Sequence, residues 1–192
     1  MKFFQKVCTA SMALAFMALF VPASRAQSNS NTGTVTLTAN LTESLSVTVN
    51  SGAAITFTLA PNTATNAGSG NSSVTTAWTL KPGRTSVAVW AYFTSAASAL
   101  VHQTAGNTTD IPSSAVKIQV GGAGLFNALT NVSPFNAAAS GLQIGAPTSI
   151  TGTNKTGTRT DTMAYQIDTT IVPQLPADDY IGTLNIQAQA TP

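Results

Sequence analysis

The chain has 192 residues, of which 7% are charged and 43% hydrophobic, whereas globular proteins usually carry ~25% charged residues. Disordered chains combine high net charge with few β-branched and aromatic residues, and this composition shows neither trait. The formal charge is +2, yet Lys2, Lys6 and Arg25 fall in one N-terminal segment. The remainder carries Lys81, Arg84, Lys117, Lys155 and Arg159 against Glu43, Asp110, Asp161, Asp168, Asp178 and Asp179, a net charge of −1. That balance leaves no phosphate-tracking surface and argues against nucleic acid as a partner.

Lys2 and Lys6 precede an uncharged, mostly apolar run, Val7 to Val21, which Pro22 closes before Ser24-Arg25-Ala26. This order is that of a secretory signal peptide, 1–26, with cleavage after Ala26. The run falls short of the ~20 residues needed to span a bilayer, and no later stretch is apolar enough, so no membrane span is expected after cleavage. Cys8, the only cysteine, lies in this segment, so the exported chain has no disulfide. It is long enough to bury a core without one. Residues 27–33 read as a flexible lead-in and 34–192 as a single domain.

Alternation of period two then dominates. Val35, Leu37, Ala39 and Leu41 oppose Thr34, Thr36, Thr38 and Asn40 in an expected first strand. Leu45, Val47 and Val49, then Ile55, Phe57 and Leu59, continue the pattern. Pro61 to Ser72 reads as a loop by composition. Val74 to Leu80 is the next strand, turned by Lys81-Pro-Gly-Arg84 into Ser86–Thr94. Val116 to Val120 is a strand ended by Gly121-Gly122. From Ala123 to Gly157 the chain is rich in small and polar residues, with one or two short edge strands expected and a helical turn at Phe126 to Leu129. Thr160 to Val172 is a long strand with Met163, Tyr165 and Ile167 on one face. Tyr180 to Gln189 closes the fold, with Leu184, Ile186 and Ala188 on one face and Asn185, Gln187 and Gln189 on the other.

Seven to ten short strands with turn signals between them, and no capped helical segment, predict an all-β, antiparallel, immunoglobulin-like β-sandwich with an irregular middle segment. A closed barrel is the alternative.

Thr76-Ala-Trp78-Thr-Leu80, with its Trp-x-Leu, and Leu175-Pro-Ala-Asp-Asp-Tyr180-Ile-Gly-Thr-Leu184 together resemble secreted bacterial β-sandwich families. The chain is similar to cell-surface WxL-type domains and to pilin subunits related to spore coat protein U. The resemblance implies an extracellular bacterial surface or fibre protein with an immunoglobulin-like fold, and it assigns no functional residue.

Candidate chemistry is sparse. His102 is the only histidine; a triad would need Asp110 and a serine, but no Gly-x-Ser-x-Gly elbow is present. A single histidine is too few for a zinc site. Asp161 and Asp168 are the best carboxylate pair for glycoside hydrolysis, yet their opposite parity sends them to opposite faces. Asp178-Asp179 reads as a turn, with a calcium site there as the lesser reading. Asn-x-Ser/Thr sequons at Asn40, Asn71, Asn107, Asn131 and Asn154 matter only in a eukaryotic secretory route. No enzyme, metal or cofactor is expected.

Two features point to contact instead. Val87, Val89, Ala91 and Phe93 form one face of a strand while Ala88, Trp90 and Tyr92 form the other. The second face is either covered by a loop of the middle segment or left as an aromatic strip, Trp90 and Tyr92, for glycans or neighbouring subunits. Thr34 to Leu41 is either an ordinary first strand or one that completes a neighbour's sheet. The reading is a secreted or cell-surface structural or adhesive protein that self-associates or meets other surface proteins, with a glycan-binding module as the alternative.

Overall fold

In the computed structural model the described residues are 30–131, 135 and 139–192. The expected signal segment and cleavage point lie outside them. The described chain is all β, with antiparallel sheets and only two 3-10 turns, at Ser113–Ala115 and Thr169–Ile171. No helix among these residues is long and apolar enough to cross a membrane.

The sheets lie in the unit Leu41–Pro192, one of two into which the chain divides. Its first sheet orders β1 (Ser44–Ser51), β2 (Asn66–Thr79), β9 (Thr156–Ile167), β5 (Val116–Val120) and β6 (Asn127–Ala128) side by side. Its second sheet orders β11 (Asn185–Thr191), β3 (Ser86–Tyr92) and β7 (Gly141–Gln143), with β8 (Thr148–Ser149) pairing β3 further along. A two-residue ribbon, β4 (Val101–His102) with β10 (Tyr180–Ile181), stands apart.

The two sheets face each other, and alternation decides which side chains meet. Val74, Val89, Ala91, Ile118, Ile144, Met163 and Ile167 are buried in one core. Trp78, Leu80, Val87 and Ile150 form a second cluster, with Leu45 and Ala190 packed against it. The Trp-x-Leu of the sequence is thus interior structure; Trp78 is 5% exposed and its Nε1 donates to the Asn154 carbonyl at 3.0 Å. Between the sheets Arg159 bonds Asp161 at 2.9 Å and donates to the Ala146 carbonyl at 2.6 Å, tying β9 to the β7–β8 loop.

Several expectations are corrected. Residues 34–41 form no strand: Val35, Leu37 and Leu41 are 84%, 89% and 82% exposed. Alternation prepares two faces, but a strand exists only where a neighbour supplies the ladder. The presumed loop 61–72 is strand from Asn66 onward, because long β9 offers a ladder that a bulge between Ala67 and Asn71 adapts to. The buried Asn66 side chain secures that start, donating to the Ile167 carbonyl at 2.9 Å and accepting from Ala60 N at 2.7 Å. The helical turn expected at 126–129 is β6, with Leu129 fully buried. The long strand ends at Ile167 because Asp168 caps a 3-10 turn by accepting from Thr170 N. The closing strand is split: Tyr180–Ile181 joins β4 while Asn185–Thr191 joins β3.

Candidate functional site

At one end the sandwich stays open. A groove of about 930 Å³ runs between the segment that follows β1 and the start of β11. One wall is Ile55, Phe57 and Leu59, on a stretch that pairs with β2 only by the bridge Phe57–Gly68. Leu184 and Ile186 form the other wall, and Phe93, Val116, Tyr165 and Ile167 lie between. Ile55, Phe57, Leu59, Leu184 and Ile186 pack on the core yet remain only half-buried. In a closed sandwich such side chains meet the facing sheet; here part of each meets water.

The strands beside the groove have unused edges. Among the described residues β11 pairs only with β3, and β1 only with β2. A row of backbone donors and acceptors on an unpaired edge is a template for another strand. The groove thus lies beside an unpaired backbone edge and is lined by apolar side chains.

Its rim is polar and clasped. The Asp178 carboxylate accepts from Thr104 N at 3.1 Å, Thr104 Oγ1 at 2.8 Å, Asn107 Nδ2 at 2.8 Å and Asp179 N at 2.7 Å. These donors, Asn107 first among them, hold its pKa down at about 2. Both oxygens are thus taken by N–H and O–H donors, and no group of three metal-ligating side chains occurs among the described residues. The clasp ties the 175–183 wall to the loop after β4, where Tyr180 Oη also accepts from Asn107 at 3.2 Å. Gly182 passes so close to the segment before β4 that an added Cβ would sit 2.0 Å from the Ala99 carbonyl oxygen.

His102 meets Asp110, with Nδ1 2.7 Å from Oδ1. Ser98 is also there, but its hydroxyl bonds the Asp110 carboxylate and, with His102, lowers its pKa. In a nucleophilic triad the serine bonds the imidazole instead. The trio braces the loop between β4 and β5. Asp161 and Asp168 are not brought together: the first pairs with Arg159, the second with Lys117 at 2.7 Å. The Lys117 ammonium, with Thr170, keeps Asp168 below the ordinary carboxylate range.

Trp90 and Tyr92 lie on the outer face of the second sheet, both half-buried. Gln187 and Gln143 flank Trp90 on its two neighbouring strands. Asn185 and Gly141 flank Tyr92, whose hydroxyl donates to Gln187 Oε1 at 3.0 Å. Phe135, from the middle segment, stacks on Tyr92 with ring centroids 6.3 Å apart. The middle segment thus covers the Tyr92 end of the strip.

No family model, curated protein or solved structure matches this chain. The groove residues were legible as strand faces but not as groove walls, because alternation marks the face of a strand and says nothing of what lies opposite. The available signal was a surplus of alternation, since both 34–41 and 55–59 alternate yet form no strand.

Proposed function

We propose that the chain is a secreted or cell-surface structural subunit, and that copies assemble when Val35–Leu41 of one adds as a strand along the groove of another. One observation carries this reading: the apolar groove with its unpaired β11 edge belongs to a chain that also holds an unpaired, exposed segment of alternating Val35, Leu37 and Leu41. Seven residues of strand span about 23 Å at ~3.3 Å per residue. Each buried Val or Leu side chain contributes about 1.5–3 kcal/mol. The segment carries no charge, so its desolvation cost is confined to the backbone and to Thr36, Thr38 and Asn40, groups that hydrogen bonds in the added ladder can satisfy. The uncharged Thr, Asn and Gln of the outer faces suit lateral contact between subunits, since amides and hydroxyls exchange water for neighbours at little electrostatic cost.

The test uses the exported chain, beginning at Gln27. Light scattering and electron microscopy should show oligomers or filaments, and Leu37→Asp should reduce them to a folded monomer. A synthetic peptide of residues 34–42 should then bind that monomer and raise its melting temperature. Polymers that persist in Leu37→Asp, or a peptide that leaves its melting temperature unmoved, would refute strand addition.

A further inference from the structure

The face of the molecule that carries Trp90 has a property independent of the groove. Strands β3, β7, β8 and β11 contain no Asp, Glu, Lys or Arg. Across their outer side the indole of Trp90 sits in the middle strand, with Gln187 on one side and Gln143 on the other. A partly exposed ring between two carboxamides offers a flat apolar surface bordered by hydrogen-bond donors and acceptors. An occupant matching it must itself be uncharged, must have a flat C–H face to lie on the indole, and must carry hydroxyls at its edges for the amides. Those are the attributes of a pyranose ring.

We propose that this face binds a neutral polysaccharide, with Trp90 as the stacking platform and Gln143 and Gln187 as edge contacts. The rival occupant is the same face of a second copy. Phe135 decides between them. Its ring, stacked on that of Tyr92 with 28° between the planes, already occupies the Tyr92 end of the strip and leaves Trp90 as a platform one ring wide. A platform one ring wide matches a chain one sugar wide, whereas the same face of a second copy would need the whole strip. Gln187 is already oriented by the Tyr92 hydroxyl, which lowers the entropy lost when it engages a ligand.

Titration of the exported chain with cellohexaose, and with hexagalacturonate as a charged counterpart, tests this by calorimetry and tryptophan fluorescence. Trp78 is buried, so a spectral shift on binding reports Trp90. Cellohexaose should bind and hexagalacturonate should not. Trp90→Ala should weaken binding at least about tenfold, as loss of a central aromatic contact does, with circular dichroism and melting temperature unchanged. If that variant unfolds, Trp90→Phe reads the same comparison with a smaller ring. Leu37→Asp, which disables assembly under the strand-addition reading, should bind as the parent does, so the two proposals fail separately. Absence of binding at millimolar cellohexaose, or binding that survives Trp90→Ala, overturns the assignment. Loss of assembly in Trp90→Ala without any sugar affinity would give the face to a second copy instead.

Discussion

The two ends of the sandwich solve the same problem differently. At the closed end Trp78, Leu80, Val87 and Ile150 fill the space between the sheets, and charged side chains seal the margin. Arg84 pairs with Glu43 at 2.9 Å, and Lys155 Nζ donates to the Arg84 carbonyl at 2.7 Å. At the open end the apolar residues pack on the core but stay half-buried, and the rim is held by an uncharged-donor clasp on Asp178. The difference teaches that incompleteness is local: a finished core at one end supports the exposed apolar surface at the other. An end that exposes Ile55, Phe57 and Leu184 without collapsing must draw its stability from elsewhere.

The largest expected effect breaks the closed end. Trp78→Ala removes a buried ring and its hydrogen bond to the Asn154 carbonyl, and should cost about 3–5 kcal/mol. Denaturant unfolding should show a midpoint shift large enough to threaten folding. A loss under about 1 kcal/mol would mean that the cluster does not carry the fold. Next comes Gly182→Ala, where the new methyl would meet the Ala99 carbonyl 2.0 Å away. Crowding of this kind costs about 1–3 kcal/mol, and the groove wall must move, so uptake of the 34–42 peptide should fall with stability. Wild-type uptake in this variant would show that the wall is not part of the receptor site. Phe57→Ala sharpens the contrast between the ends. The residue is half-buried, so its loss should cost only about 1–2 kcal/mol by area, while peptide uptake drops steeply. A cost equal to that of Trp78→Ala would erase the distinction between the ends.

The difference also explains what could be read from the sequence. The closed end was legible: the parity of Trp78 and Leu80, the turn Lys81 to Arg84 and the faces of β3, β9 and β11 all follow from alternation and turn chemistry. Even the split inside YIGTLNIQAQ left Leu184, Ile186 and Ala188 inward and Asn185, Gln187 and Gln189 outward, because a period of two survives a bend. The segment 34–41 was not legible in the same way. Val35, Leu37 and Leu41 carry as clean an alternation as Leu45 and Val47, yet only the latter find a ladder. Partner choice is a non-local property, settled by which edges remain after the other strands have paired. Asn66 to Ser72 failed in the opposite direction, since small polar residues disfavour strands in isolation but yield to a long neighbour and a bulge.

The smallest expected effect concerns the clasp. Asp178 has a folded-state pKa of about 2, below the ~4 of an unfolded aspartate. A carboxylate lowered in this way adds stability that is complete above about pH 4 and is lost as pH falls through about 2. Asp110 and Asp168 are lowered too, so the acid limb of the parent protein sums several groups. Asp178→Asn isolates one of them: the amide keeps an acceptor oxygen near Thr104 and Asn107 but cannot titrate. Melting temperature plotted against pH should therefore run slightly lower in the variant at neutral pH, and converge on the parent between about pH 4 and pH 2. Because the clasp joins only the groove wall to the loop after β4, amide exchange at Thr104 and Asp179 should quicken in the variant at neutral pH. The closed end, where Arg84 and Lys155 hold the margin, should exchange as before. Parallel curves that never converge would place the acid sensitivity elsewhere, and quickened exchange around Trp78 would show that the two ends are not independent.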